Sequence, residues 1–430
     1  MLRPERGVDT KQTNLTSTPR VKPRRLRMFE SLRHRDFRYL WVTSFLSASA
    51  RNLQQVSLGF LAFDLTGSSV LLGTVLFVYQ IPFLSFALLV GVLADRVNRK
   101  RLLAISQFGM AAFAVALAVD IALGWVETWH LIVFAFISGI ENTIIHIVRQ
   151  ALVPRVVPRE SLLNAVSLNT TGFNVSRIIA PAVGGVLIVA VGVAGNFGIQ
   201  AALLIGVAFA SLPMRVGKAE GATERTGGAA RGMAADLVEI LRYVWREPLL
   251  RQLFLVQYVV LFFTVPYLGF LPVWTEDVLR MDADILGVLY VATGAGAVVG
   301  TLWLAQRVSL PRRGLWLIAT VAINAVGLIG LSQVDGLALT IVVLAFLGAA
   351  QVMFFALNIS AAQAIIPDAL QGRAMAVWNM GHGGIALGTL IMGYVVAAAG
   401  VQDAMWLMGV PMLALTVLGA AALRRIRELD

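Results

Sequence analysis

Gly91-Val92-Leu93-Ala94-Asp95-Arg96-Val97-Asn98-Arg99-Lys100-Arg101-Leu102-Leu103 is a short, strongly basic turn set between two long apolar runs, residues 70–94 and 101–122. Each run is close to the roughly 20 apolar residues that a helix needs to cross hydrocarbon, so the turn reads as a loop joining two membrane spans. A tight turn asks for a residue tolerant of positive φ, a role expected of Asn98. Arg96, Arg99, Lys100 and Arg101 hold the segment at one membrane surface. Asp95 is the odd residue. One acid among these cations pairs with its neighbours or with the positive end of a facing helix, and breaking that contact releases a gate. An ordinary basic loop is the plainer alternative.

The same alternation of apolar run and short polar loop continues along the chain. Of 430 residues, 58% are hydrophobic and 14% charged, with mean hydropathy +0.78. No water-soluble domain needs that much apolar surface. Six apolar stretches of spanning length lie within 37–213 and six within 249–424, leaving polar segments at 1–36, 214–248 and 425–430. The expected fold is an all-α integral membrane protein of twelve transmembrane helices in two six-helix bundles. The absence of cysteine excludes disulfides, thiolate metal sites and cysteine nucleophiles.

A net charge of +11 in a soluble protein would suggest nucleic acid, but here placement decides. With both termini cytoplasmic, every Lys and Arg outside the spans falls on the cytoplasmic side except Arg280. The opposite loops carry Asp64, Asp120, Glu127, Glu276, Asp277, Asp282, Asp284, Asp335 and Asp403. This bias predicts a multi-pass protein of a bacterial inner membrane with both ends inside, whose basic residues meet lipid and not nucleic acid. Residues 1–36 run without a cleavage site into the first span and read as a cytoplasmic tail, either a plain basic extension or one touching anionic lipid.

Residues 215–232 are Gly-rich and charged, a flexible linker between the halves. Just beyond, Leu237, Ile240, Leu241, Val244 and Trp245 recur at helical spacing, predicting an amphipathic helix along the inner membrane face. The halves also resemble each other at a nearly fixed offset of 213 residues: Arg99-Lys100 returns as Arg312-Arg313, Leu102 as Leu315, Gln150-Ala151 as Gln363-Ala364 and Pro154 as Pro367. A shared offset argues for duplicated bundles with a substrate path between them. Val308 stands where a second Asp95 would fall, so a strong latch is expected in the first half only.

The loop from Gly91 to Leu103 resembles the signature of the major facilitator superfamily, G-x-L-x-D-R-x-G-R-K/R-x-x-L, with Asn98 replacing the second Gly. Ala180-Pro181-Ala182-Val183-Gly184-Gly185 resembles the antiporter motif G-P-x-x-G-G of facilitator exporters, with Ala180 in place of its first Gly. Pro181 kinks its helix and the glycine pair admits a close neighbour, whether for export or for packing alone. The wider pattern over residues 35–425 looks like the branch containing enterobactin-type siderophore exporters and macrolide or multidrug pumps. It departs at Ile147, where many relatives carry Pro, which predicts a straighter fourth helix. The resemblance implies a secondary active transporter that exports small organic molecules by alternating access, with protons as counter-ion, a single chain as the working unit and no cofactor. A lysolipid-like cargo is the alternative.

Arg51, Glu141 and Arg177 fall deep within their spans, where an ionised group is costly and usually faces a bundle interior or wet cavity. Around them run polar stripes containing Ser47 and Gln54, Asn142 and His146, and Thr170 and Asn174. Either Arg51 and Glu141 form an ion pair that joins two helices, or Glu141, relayed by His146, carries protons while Arg51 or Arg177 meets the cargo. Gln257, Tyr258, Gln351, Asn358, Trp378, Asn379 and His382 are the candidate cavity lining from the second half. A polytopic enzyme would need a metal cluster or a nucleophile motif, and the sequence has no HExxH, G-x-S-x-G or P-loop. A channel is disfavoured because duplicated halves in one chain point to a rocking carrier.

Overall fold

A computed structural model of the protein describes residues 30–158, 161–214, 239–307, 311–367, 378, 381–422 and 424–427. The described residues are almost wholly helical, with no strand among them. The first half contains α1 (Arg35–Asp64), α2 (Ser69–Arg96), α3 (Arg99–Ala122), α4 (Thr128–Val156) and α5 (Leu162–Ser211). α5 is two arms joined at Gly192, whose φ of 71° breaks the helix at a conformation glycine adopts without strain. The second half contains α6 (Pro248–Phe263), extended by short turns to Val278, then α7 (Ala283–Ala305), α8 (Arg313–Leu331), α9 (Leu337–Ile365), α10 (Gly383–Ala399) and α11 (Val401–Ala422).

Nine stretches among the described residues are long and apolar enough to cross a membrane. α1 is not one of them, because Ser47, Arg51, Asn52, Gln54 and Gln55 interrupt its apolar sequence. Ser47, Asn52 and Gln54 are buried inside the protein, so α1 faces other helices and not lipid there. Lipid-facing character instead collects on α3 and α11, which expose Ile105, Phe113 and Val119, and Leu415, Val417 and Leu418.

The halves repeat one packing scheme. α2 crosses α4 and α7 crosses α9; α3 lies on the second arm of α5 and α8 on α11; α1 packs on α5 and α6 on α10. The crossings use the same device. A Cβ at Gly139 would meet Pro82 Cγ at 2.8 Å, and one at Gly348 would strike the Thr293 carbonyl. Between the halves, α2 lies on α10 and α5 on α7.

One local expectation is corrected, and three others gain detail. Asn98 has φ −65°, not a positive value, and works as a helix cap: its Oδ1 accepts from the amides of Lys100 (3.0 Å) and Arg101 (3.3 Å) and so satisfies the free start of α3. The backbone angles stay helical at Pro181, as a kink allows, and the break in that helix falls at Gly192. In the helical segment 239–246, Ile240 and Val244 are buried in the protein core while the apolar Leu241 and Trp245 are exposed; Leu237 lies outside the described residues. α4 is one uninterrupted helix through Ile147.

Candidate substrate pathway

α1 presents Ser44, Ser47, Arg51 and Gln54 three or four residues apart, a polar stripe that meets α3, α4 and the second arm of α5. Gln107 Nε2 donates to Ser47 Oγ (2.7 Å), Gln54 Nε2 to Ser138 Oγ (2.5 Å), and Gln200 Nε2 to Gln54 Oε1 (2.7 Å). Each removes a buried polar group from an environment with no water to satisfy it. Arg51 Nη1 donates to Asn142 Oδ1 (2.6 Å), and its guanidinium lies 5.6 Å from the Phe173 ring centre. Among the described residues no ion pair joins Arg51 to Glu141, so the helix-joining pair is not formed.

Glu141 lies one residue before Asn142 on α4, half-buried, and the charges of Arg51 and Arg149 act on it. Arg149 is a further buried cation, reached one turn on along the polar stripe of Asn142 and His146. It is buried because α4 continues two turns beyond it, and it reaches α1, where Nη2 donates to Thr43 O (2.8 Å) and Nη1 to Ser44 O (3.2 Å). Its Nε has no partner. The detectable signal was Arg149 itself, seven residues after Asn142 and so on the same face.

His146 packs edge-on against Phe83 of α2, with ring centres 5.5 Å apart, and His382 at the start of α10 packs on the same ring at 5.6 Å. The two predicted histidines therefore meet across the interface between halves through one phenylalanine. In the second half, Gln257 Nε2 donates to Trp378 O (3.1 Å), and Asn358 Nδ2 approaches Gln257 Oε1 and Leu253 O, both at 3.4 Å. Gln351 lies on the same buried face of α9 as Asn358, and Tyr258 is half-buried beside Gln257. Gly184 lets α5 approach Leu53 of α1, where an added Cβ would sit 3.2 Å from Leu53 Cδ2. Gly185 is buried in the same turn.

In the signature loop, Lys100 Nζ donates to Leu212 O and to Met214 O (3.1 Å), tying the start of α3 to the end of α5. Gly91, Asp95 and Arg96 lie in the last two turns of α2 and Arg99 opens α3. The side chains of Asp95, Arg96, Asn174 and Arg177, and all of Val308 and Asn379, lie outside the described residues.

Among the described residues, the halves approach closely at the end that carries Asp64 and Ser68. Ser69 Oγ donates to Gly393 O (3.1 Å), and a Cβ on Gly73 would lie 2.7 Å from Thr389 O and 3.0 Å from Gly393 Cα. Beside this seal is a cavity of about 380 Å³ lined from both halves by Phe60, Asp64, Thr275, Glu276, Arg280 and Asp282.

A duplicated helical bundle with a polar interior split between its halves is the architecture of a carrier, and residues 27–430 match the transmembrane secretion effector family of major facilitators. The chain belongs to that family. This major facilitator is similar to the multidrug efflux pump Tap of Mycolicibacterium fortuitum, 26% identical over 90% of this chain and 95% of Tap. It is similar to the staphyloferrin A transporter of Staphylococcus aureus, at 23% over 88% and 94% of the two chains. Its shape resembles a bacterial homologue of the human lysosomal transporter Spinster in an inward-facing, unoccupied conformation. There the TM-score is 0.72 at 14% identity, covering 91% of this chain and 98% of that one. The facilitator is a multi-pass membrane transporter of small molecules and not an enzyme.

Proposed function

We propose that this facilitator exports drug-like or siderophore-like organic molecules by alternating access, driven by protons moving the other way. The observation that carries the reading is the cluster of Arg51, Glu141, Asn142 and Arg149 on the membrane-length helices of one half, with a neutral buried cluster of Gln257 and Asn358 in the other. Ionised groups so placed are retained for a pathway or a proton relay. Names of similar proteins support the direction: an efflux pump, and the enterobactin exporter EntS of Citrobacter koseri, 26% identical over 70% of this chain and 71% of EntS.

In this reading the halves 37–213 and 249–424 rock about the cargo within a single working chain, with both termini cytoplasmic. Glu141 takes and releases the proton. Asp95, flanked by Gly91, Arg96, Arg99 and Lys100, latches the cytoplasmic gate, and Asp95→Asn at equal expression slows transport at least tenfold. Accumulation of labelled drugs and siderophores in cells with and without the protein tests the function. Lower accumulation of some compounds when the protein is present supports export, and equal accumulation of all of them overturns it.

A further inference from the structure

The two faces of the pathway differ in kind. The described mid-membrane groups of the first half include two cations, Arg51 and Arg149, against one acid, Glu141. Among the described residues of α6–α11, Asp, Glu, Lys and Arg stand only near helix ends. Arg149 spends its guanidinium on the α1 carbonyls. Arg51 is only half-buried, with Nη1 bonded to Asn142 and its guanidinium carbon 5.6 Å from the Phe173 ring centre, so it is the cation placed to meet a ligand. In the second half, Gln351 Nε2 and Asn358 Oδ1 are buried without a partner, in side chains only 2% and 1% exposed. They stand two turns apart on one face of α9, one a donor and one an acceptor. Unsatisfied buried groups of both signs along one face match a body that offers both, as amides do.

Building on the export reading, we infer that the cargo is an amphiphilic organic anion held across both halves. Its anionic group lies at Arg51, and its neutral amide-bearing body lies along Gln257, Gln351 and Asn358. The excess of cation over acid favours an anion at the centre, and the phenyl ring of Phe173 and the indole of Trp378 suit an aromatic portion beside it.

The test uses the full-length protein in lipid nanodiscs and three matched probes: N-benzoylphenylalanine, its methyl ester, and the analogue with two methylenes replacing the amide. The wild type is expected to bind the acid about tenfold or more tightly than the ester, as loss of a hydrogen bond to a charged group implies. Arg51→Gln brings the two within about twofold. Gln351→Leu and Asn358→Leu erase the preference for amide over methylene yet keep that for acid over ester. Equal binding of acid and ester by the wild type, absence of binding by the acid, or an acid preference that survives Arg51→Gln overturns the inference. Efflux of the labelled drugs and siderophores, charged and neutral, measured in parallel, separates the outcomes: a protein that exports any of them without preferring the acid sinks the inference alone, whereas one that exports none sinks the export reading.

Discussion

Arg149 illustrates how a full charge is kept inside a membrane protein: its two terminal nitrogens bond carbonyls of a neighbouring helix, so the guanidinium serves as a clamp between α4 and α1. Arg149→Ala is expected to lower stability by about 3 kcal/mol, in line with losing hydrogen bonds to a charged group, and to lower the melting temperature of the purified protein. Lysine there restores only part, because an ammonium cannot reproduce the planar fork. A melting temperature unchanged by the alanine would remove the clamp. Glu141→Gln keeps shape and polarity but fixes a neutral form, so cargo exchange across vesicles should persist while uphill accumulation falls at least tenfold. Uphill pumping at the wild-type rate would place coupling elsewhere. Glu141 stands plainly in the sequence as an ionisable group within an apolar run, whereas Arg149, near the inner end of its run, does not announce its burial. What the sequence did not display is which partner each finds: Arg51 meets Asn142 because the two polar stripes cross there, a matter of helix rotation that spacing alone does not set. Asn98 misled for a related reason, since asparagine suits both a positive-φ turn and a helix N-cap.

At the level of elements, α2 and α10 hold the halves together through Ser69, Gly73, Thr389 and Gly393, where no side chain intervenes between backbones. Such a contact forms and parts without repacking a core, which suits a gate. Because the chain has no cysteine, Ser69→Cys alone gives a clean probe. Its buried thiol should be protected from a membrane-impermeant reagent in the resting protein and become reactive during transport; equal reactivity at rest and during transport would contradict a moving seal. Gly73→Leu should hold this end apart, raising the reactivity of a cysteine at position 69 toward a membrane-impermeant reagent. The helices themselves were legible in the sequence, since apolar runs of membrane length admit little else. The break at Gly192 falls in the short gap between two such runs. The inward burial of Ile240 and Val244 was not legible, because an amphipathic face looks alike whether it meets lipid or protein.

For the whole molecule, the duplication seen as a 213-residue offset returns as paired helix contacts, so the two-bundle plan follows from sequence and packing alike. The chemistry does not follow the duplication. Among the described residues, ionisable groups deep in their helices stand in the first half and buried neutral amides in the second, a division of labour expected if one bundle handles the proton and both hold the cargo. The most direct test of this account is transport by the purified protein in sealed vesicles with a pH gradient as the sole energy source. The account predicts accumulation of cargo in the acidic compartment above its outside concentration, abolished when a protonophore collapses the gradient; movement that merely equilibrates the cargo, indifferent to the gradient, would contradict it.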